Sequence, residues 1–182
     1  MMQRGWKVWL LIALCMVGSC NREDGNGRSD ELVLLQLSEA RALHRRADLH
    51  LLDGDTPAAI GDVKEVLRIR FPAGSSEGED TLLDAHGRLA KLLLAPGGEE
   101  AEHQAFAQIE AGRKLATRDS FFRAHLESVA AEIYEARAKR VTDPAAAKEA
   151  RKEAIRALER AIAIDRHLQR ALLALPDLPE EH

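Results

Sequence analysis

KEAIRALERAIAID, residues 152–165, holds no Gly or Pro and is built almost wholly from Ala, Ile, Leu, Glu, Lys and Arg. Most of these residues favour helix, and Ala154, Leu158 and Ala161 recur at helical spacing along one side, with Arg156 roughly opposite. The charges from Lys148 to Arg160 mix both signs, as expected of a solvated helix face. Two of the three apolar-face positions are alanine. A helix with small side chains two turns apart lets a neighbouring helix approach closely, so this stretch predicts packed helices rather than a sheet.

The same periodicity extends outward, and no segment alternates as a strand would. A first helix is expected over 29–53, with Leu32, Leu35, Leu43, Ala47 and Leu51 on one stripe, stopped at Asp53-Gly54-Asp55. Thr56 is expected as N-cap of a second, with Pro57 in its first turn, running through Ile60, Val63, Val66 and Leu67 towards Phe71-Pro72. Residues 73–80 read as a loop, and Thr81 to Asp84 as the capping box of a third helix ending near Leu94. Pro96-Gly97-Gly98 is a turn. A fourth helix is expected over 99–116. A fifth, carrying Phe122, Leu126, Val129 and Ile133, runs from Ser120 to about Val141. Asp143-Pro144 opens a sixth that ends near Asp165, and a short seventh over 167–175 closes before Pro176.

Residues 152–165 resemble the second helix of a tetratricopeptide repeat. Ala154 and Ala161 stand in that helix's small-residue positions, although Arg166 stands where the family usually has Pro. Ala59 and Val66 take the same places in the second helix, and Ala105 and Gly112 in the fourth. Ala130, Ala131 and Tyr134 are similar to the small and aromatic end of the family's first helix, matched by Ala47 and His50 and by Ala90 and Leu93. The resemblance implies an all-α fold: a TPR-like helical-repeat solenoid of about three helical hairpins plus a C-terminal capping helix, residues 31–176, with a tail at 177–182. Ala59, Ala105 and Ala154 are spaced more widely than the family's repeat of about 34 residues. A HEAT-like stack or a plain antiparallel bundle satisfies the same periodicity. In each case a single hairpin cannot bury its apolar face alone, so neighbours must stack.

The chain begins MMQRGWKVWLLIALCMVGSC. Arg4 and Lys7, an apolar run from Val8 to Val17, and small residues before a cysteine make a secretory signal over residues 1–19. Val17-Gly18-Ser19-Cys20 resembles the lipobox of bacterial lipoproteins, with Val for the usual Leu. The resemblance implies lipidation at Cys20 and attachment to a membrane; an ordinary cleaved signal, with no lipid on Cys20, is the alternative reading of the same segment. Asn21 is not the Asp that retains such proteins at the inner membrane in enteric bacteria, so the outer membrane, facing the periplasm, is expected. Residues 20–30, polar and Gly/Asn-bearing, read as a flexible tether.

Cys15 and Cys20 are the two cysteines, so once the signal is removed no internal disulfide can form. Without Arg4 and Lys7 the chain keeps 24 basic and 30 acidic residues, which leaves no surplus to neutralise phosphates and argues against nucleic acid. Both Trp precede Cys20, and only Phe71, Phe106, Phe121, Phe122 and Tyr134 remain for stacking.

Three patterns imitate chemistry. Gly74-Ser75-Ser76-Glu77-Gly78 matches the nucleophile elbow of hydrolases, but no strand precedes it to strain the serine. Glu100 and His103 match one half of a di-iron site and have no second copy. His44, His50, His86, His125 and His167 are dispersed without metal-ligand spacing. No cofactor, metal or catalytic set is therefore expected. In the resembled family the first helix of each hairpin lines a concave groove. Carried across, that groove comprises Arg41, His44, Asp48, Asp84, Lys91, His125, Ser128 and Glu132. A polar face of mixed charge suits a protein or peptide segment. The expected function is a non-enzymatic, lipid-anchored envelope scaffold that binds such a partner, with a role in assembling an envelope complex as its extension. The alternative is a periplasmic lipoprotein hydrolase using Ser76.

Overall fold

A computed structural model describes residues 24–173. The signal at 1–19, the lipobox cysteine and the tail at 177–182 lie outside the described residues. Among the described residues there are six helices and no strand: α1 (Asp24–Leu52), α2 (Thr56–Val66), α3 (Ser76–Leu94), α4 (Glu99–Leu115), α5 (Phe121–Arg140) and α6 (Pro144–Leu173).

Consecutive helices pair as antiparallel hairpins, α1 with α2, α3 with α4 and α5 with α6, and the hairpins stack in chain order. Within the stack α1, α3 and α5 run side by side in the same direction. His44 faces Asp84, and Asp48 meets Arg88 at a sequence separation of 40 residues. The step from Lys91 to Glu132 is one residue longer. This all-α arrangement is consistent with a helical repeat.

Alanine sets the close approach. Ala47, Ala59, Ala90, Ala105, Ala130, Ala131, Ala154, Ala157 and Ala161 are all buried, and between them sit Leu83, Leu89, Ile109, Leu126, Val129 and Ile133. Each of these larger side chains contributes about 1.5–3 kcal/mol by leaving water, whereas the alanines contribute mainly by letting helices come near. Gly112 belongs to the same device. A Cβ placed there would lie 2.7 Å from Leu126 Cδ2.

Several boundaries differ from the sequence reading. Asp24 to Asp30, read as tether, are the first turns of α1. The N-cap of α2 is Asp55, whose Oδ1 accepts from the Ala58 amide at 3.0 Å, with Thr56 one residue inside. The carboxylate of Asp55 suits the cap at least as well as the neighbouring hydroxyl does. That helix stops at Val66, short of Phe71. The third helix opens at Ser76 rather than Thr81, because the Ser75 hydroxyl accepts from the Gly78 amide at 3.0 Å. Gly74 supplies the positive φ of +82° in the turn before it. The sixth and seventh helices are one continuous α6, since Asp165-Arg166-His167 contains no residue that ends a helix. The separate capping helix is thus absent among the described residues.

Two stripes also move. The buried face of α6 is Ala147, Ala150, Ala154, Ala157, Ala161 and Ile164, and Leu158 is 40% exposed. In α1, Ala40, Leu43, Ala47 and Leu51 face α2, while Leu32 and Leu35 are exposed.

Candidate partner-binding face

The shared direction of α1, α3 and α5 places most of the expected groove residues on one continuous face. His44 of α1 is half-buried and sits between two side chains of α3. Its Nε2 lies 3.8 Å from Asp84 Oδ2, and its Nδ1 lies 3.4 Å from an Arg88 Nη. An arginine nitrogen only donates, so Nδ1 accepts and the ring proton of the neutral form sits on Nε2, towards Asp84. Burial lowers the His44 pKa, and the Arg88 charge adds to this, against the opposing pull of Asp84 and Asp48. Arg88 also donates to Asp48. Further along, Lys91 of α3 meets Glu132 of α5 at 2.9 Å.

The other three expected residues are placed differently. Arg41 is exposed and joins no ion pair among the described residues. Ser128 turns back on its own helix, its hydroxyl donating to the Ala124 carbonyl at 3.2 Å. The ring of His125 lies parallel to that of Phe121, with centroids 6.4 Å apart, and faces the Gly87 position of α3. The structure therefore joins His44, Asp84 and Asp48 in one cluster and Lys91 and Glu132 in another. Arg41 is left free at one edge, and Ser128 is committed to its own backbone.

Sequence reasoning missed two members of this face. Arg88, one turn after Asp84, holds the first cluster together. Phe121, the first residue of α5, is 66% exposed and gives the polar face an aromatic end. Both could have been found by extending the helical spacing from Asp84 and His125.

It also missed three buried carboxylates at helix contacts. Asp62 of α2 takes Arg46 of α1 through bonds of 2.9 and 2.6 Å. Glu102 of α4 takes Arg140 at 2.8 and 2.9 Å and Arg137 at 3.2 Å, both from α5. Glu127 of α5 takes Arg113 from α4 and Arg160 from α6. The arginine bonds hold Asp62 and Glu102 below the ordinary carboxylate range. Burial works to raise Glu127, but its two arginines outweigh it and the net direction is also down. These acids are charged, paired and inward, which makes them cross-links between helices rather than proton donors.

Ser76 occupies the first turn of α3. Its hydroxyl bonds to Glu77 at 3.0 Å, and it borders an open cleft of about 380 Å³ against the N-terminal half of α1. No histidine lines that cleft. Glu100 is held by Gln104 at 2.8 Å, and His103 is exposed. Among the described residues, no group of three or more His, Cys, Asp or Glu side chains could hold a metal ion.

No family model, curated protein or solved structure matches the chain.

Proposed function

We propose that the chain is a lipid-anchored envelope scaffold, held at Cys20 and probing for a protein or peptide segment with the face made by α1, α3 and α5. The observation that carries the reading is the alignment of these three helices, which sets Arg41, the His44–Asp84–Arg88–Asp48 cluster, the Lys91–Glu132 pair and Phe121 on one surface. A TPR-like solenoid accounts for this alignment, since such a repeat turns the first helix of every hairpin inward. The face is largely self-neutralised, so it offers alternating charge and one exposed ring rather than a strong field. That pattern suits an extended polypeptide better than a phosphate-rich or greasy ligand. The outer membrane is the proposed site, on the lipobox resemblance and Asn21. Among the described residues no helix is long and apolar enough to cross a membrane, so attachment there would rest on the lipid.

Two measurements test this reading. Cys20→Ala should abolish labelling with a palmitate analogue; equal labelling of variant and wild type rejects the anchor. Crosslinked pull-downs from membranes should lose the partner in the double variant Arg41→Glu, Phe121→Ser. Both positions are exposed, so helicity should be preserved. Ser76→Ala should leave recovery unchanged. Loss with Ser76→Ala and none with the face variant would favour the hydrolase alternative.

A further inference from the structure

The first helix carries more exposed apolar surface than its place in the stack explains. Large apolar side chains that stay exposed include Leu32, Leu34, Leu35, Leu49 and Leu52, all on α1. Leu34 borders the cleft beside Ser76. Leu35, Ala42 and Leu49 differ: they recur at heptad spacing, which drifts only about 20° per repeat, and so form one stripe along the helix. Leu35 is 64% and Leu49 54% exposed, and the stripe lies opposite Ala40, Ala47 and Leu51, which pack on α2. Among the described residues no helix precedes α1 in the stack, so this stripe lies on an outer edge of the described helices.

We infer that this outer edge of α1 rests on the surface of the bilayer, with Leu35 and Leu49 in the interfacial layer. The inference rests on the proposed lipid at Cys20. Asp24, the first residue of α1, is four positions from that cysteine, a span of at most about 14 Å. A lipid there would hold the start of α1 within reach of the headgroups and give its long side a high effective concentration at the surface. The helix has 29 residues, so it would lie along the membrane for about 43 Å. Arg45, exposed between Ala42 and Leu49, is suited to extend its charge to the headgroups. The opposite edge shows why exposure alone is not enough. Ile155, Leu158 and Ile162 of α6 are also exposed, yet among the described residues α6 packs only on α5, at the other end of the described helices. One edge alone can face the bilayer, and the anchor selects α1. The polar face of α1, α3 and α5 then stands beside the membrane, open to the periplasm.

The full chain provides its own test. Lipidation consumes Cys20, and Cys15 leaves with the signal, so mature protein has no free thiol. Leu35→Cys, Leu49→Cys, Ile155→Cys and Ile162→Cys each add one, at positions exposed enough to carry a spin label. The purified proteins are reconstituted in vesicles of phosphatidylethanolamine with a minority of phosphatidylglycerol. Labels at 35 and 49 should be shielded from a water-soluble nickel relaxant and more accessible to oxygen, several-fold in ratio over labels at 155 and 162. Vesicle-bound protein with all four labels equally aqueous overturns the edge inference while leaving the anchor intact, and would give the stripe to a protein helix instead. Shielding at 155 and 162 alone overturns it too. Label uptake by unsubstituted protein that stays out of vesicles removes the anchor and, with it, the inference.

Discussion

Arg113 of α4 and Glu127 of α5 meet through two bonds, Nε to Oε1 at 2.8 Å and Nη2 to Oε2 at 2.6 Å. Arg160 of α6 reaches the same carboxylate at 2.8 Å, so one buried acid ties three helices together. Glu127 is 5% exposed, whereas both arginines keep some contact with water. Removing the acid strands two charges that can only partly resolvate. Glu127→Ala should therefore cost about 2–3 kcal/mol, below the loss for a fully sealed pair. Glu153→Ala removes only a half-buried partner of the exposed Arg156 one turn away and should stay within about 0.5 kcal/mol. Urea denaturation followed by circular dichroism compares them, and equal midpoints would show that the three-helix link holds nothing.

Two glycines should respond to alanine with opposite sign. Gly61 in α2 has no neighbour within 4 Å of a Cβ placed there, so Gly61→Ala should stabilise by about 0.5–1 kcal/mol through helix propensity alone. At Gly78 in the first turn of α3 the same Cβ would sit 2.5 Å from Phe71 Cβ and Cγ. Phe71 Cβ cannot swing away without its backbone, so Gly78→Ala should cost about 1–3 kcal/mol. Thermal unfolding of the pair reads the sign directly. Stabilisation by both would mean Phe71 is not packed on α3.

Helices and their contact surfaces were legible because alanine is informative here. Ala59 and Val66, Ala105 and Gly112, and Ala154 and Ala161 are each seven residues apart, and all six are buried. Boundaries were less legible where two capping groups competed. Asp55 directly precedes Thr56 and Ser75 lies six residues before Thr81, and a side chain that can reach the third amide decides the start of a helix. The groove residues on α1 and α3 followed from helix direction alone, but their partners did not. Arg88 and the inward acids Asp62, Glu102 and Glu127 look like any solvated charge in a sequence that is rich in them. Only the fold shows that each one points at arginine or histidine from another helix.

In α6 the buried stripe and its neighbour are one residue apart, which gives a sharp test of register. Ala157 is fully buried against α5, while Leu158 is 40% exposed. Ala157→Glu should cost several kcal/mol, through crowding and through burying an unpaired carboxylate. Leu158→Ser should change stability by less than about 1 kcal/mol. Reversed or equal urea midpoints would rotate α6 and return Leu158 to the core.

Stability should fall in two steps as the solution is acidified. Burial lowers the pKa of His86, opposed by its contact with Gln108 at 3.2 Å, and burial leads the lowering at His44. The unfolded chain takes up these protons near pH 6.5 while the folded chain resists them, so folding loses free energy as pH drops below about 6.5. The second step belongs to Asp62, Glu102 and Glu127, whose folded pKa values lie below their ordinary ones. Their contribution is complete above about pH 4.5 and is lost as pH falls through the lowered values, when the arginine bonds lose their acceptor charge. Both shifts act in the same direction, so the urea midpoint should decline between about pH 7 and 5 and then more steeply below about 4.5. Replacing His44 and His86 together by Gln should flatten the first decline and keep the second. A midpoint that rises between pH 7 and 5 in the wild type would reverse the sign assigned to the two histidines.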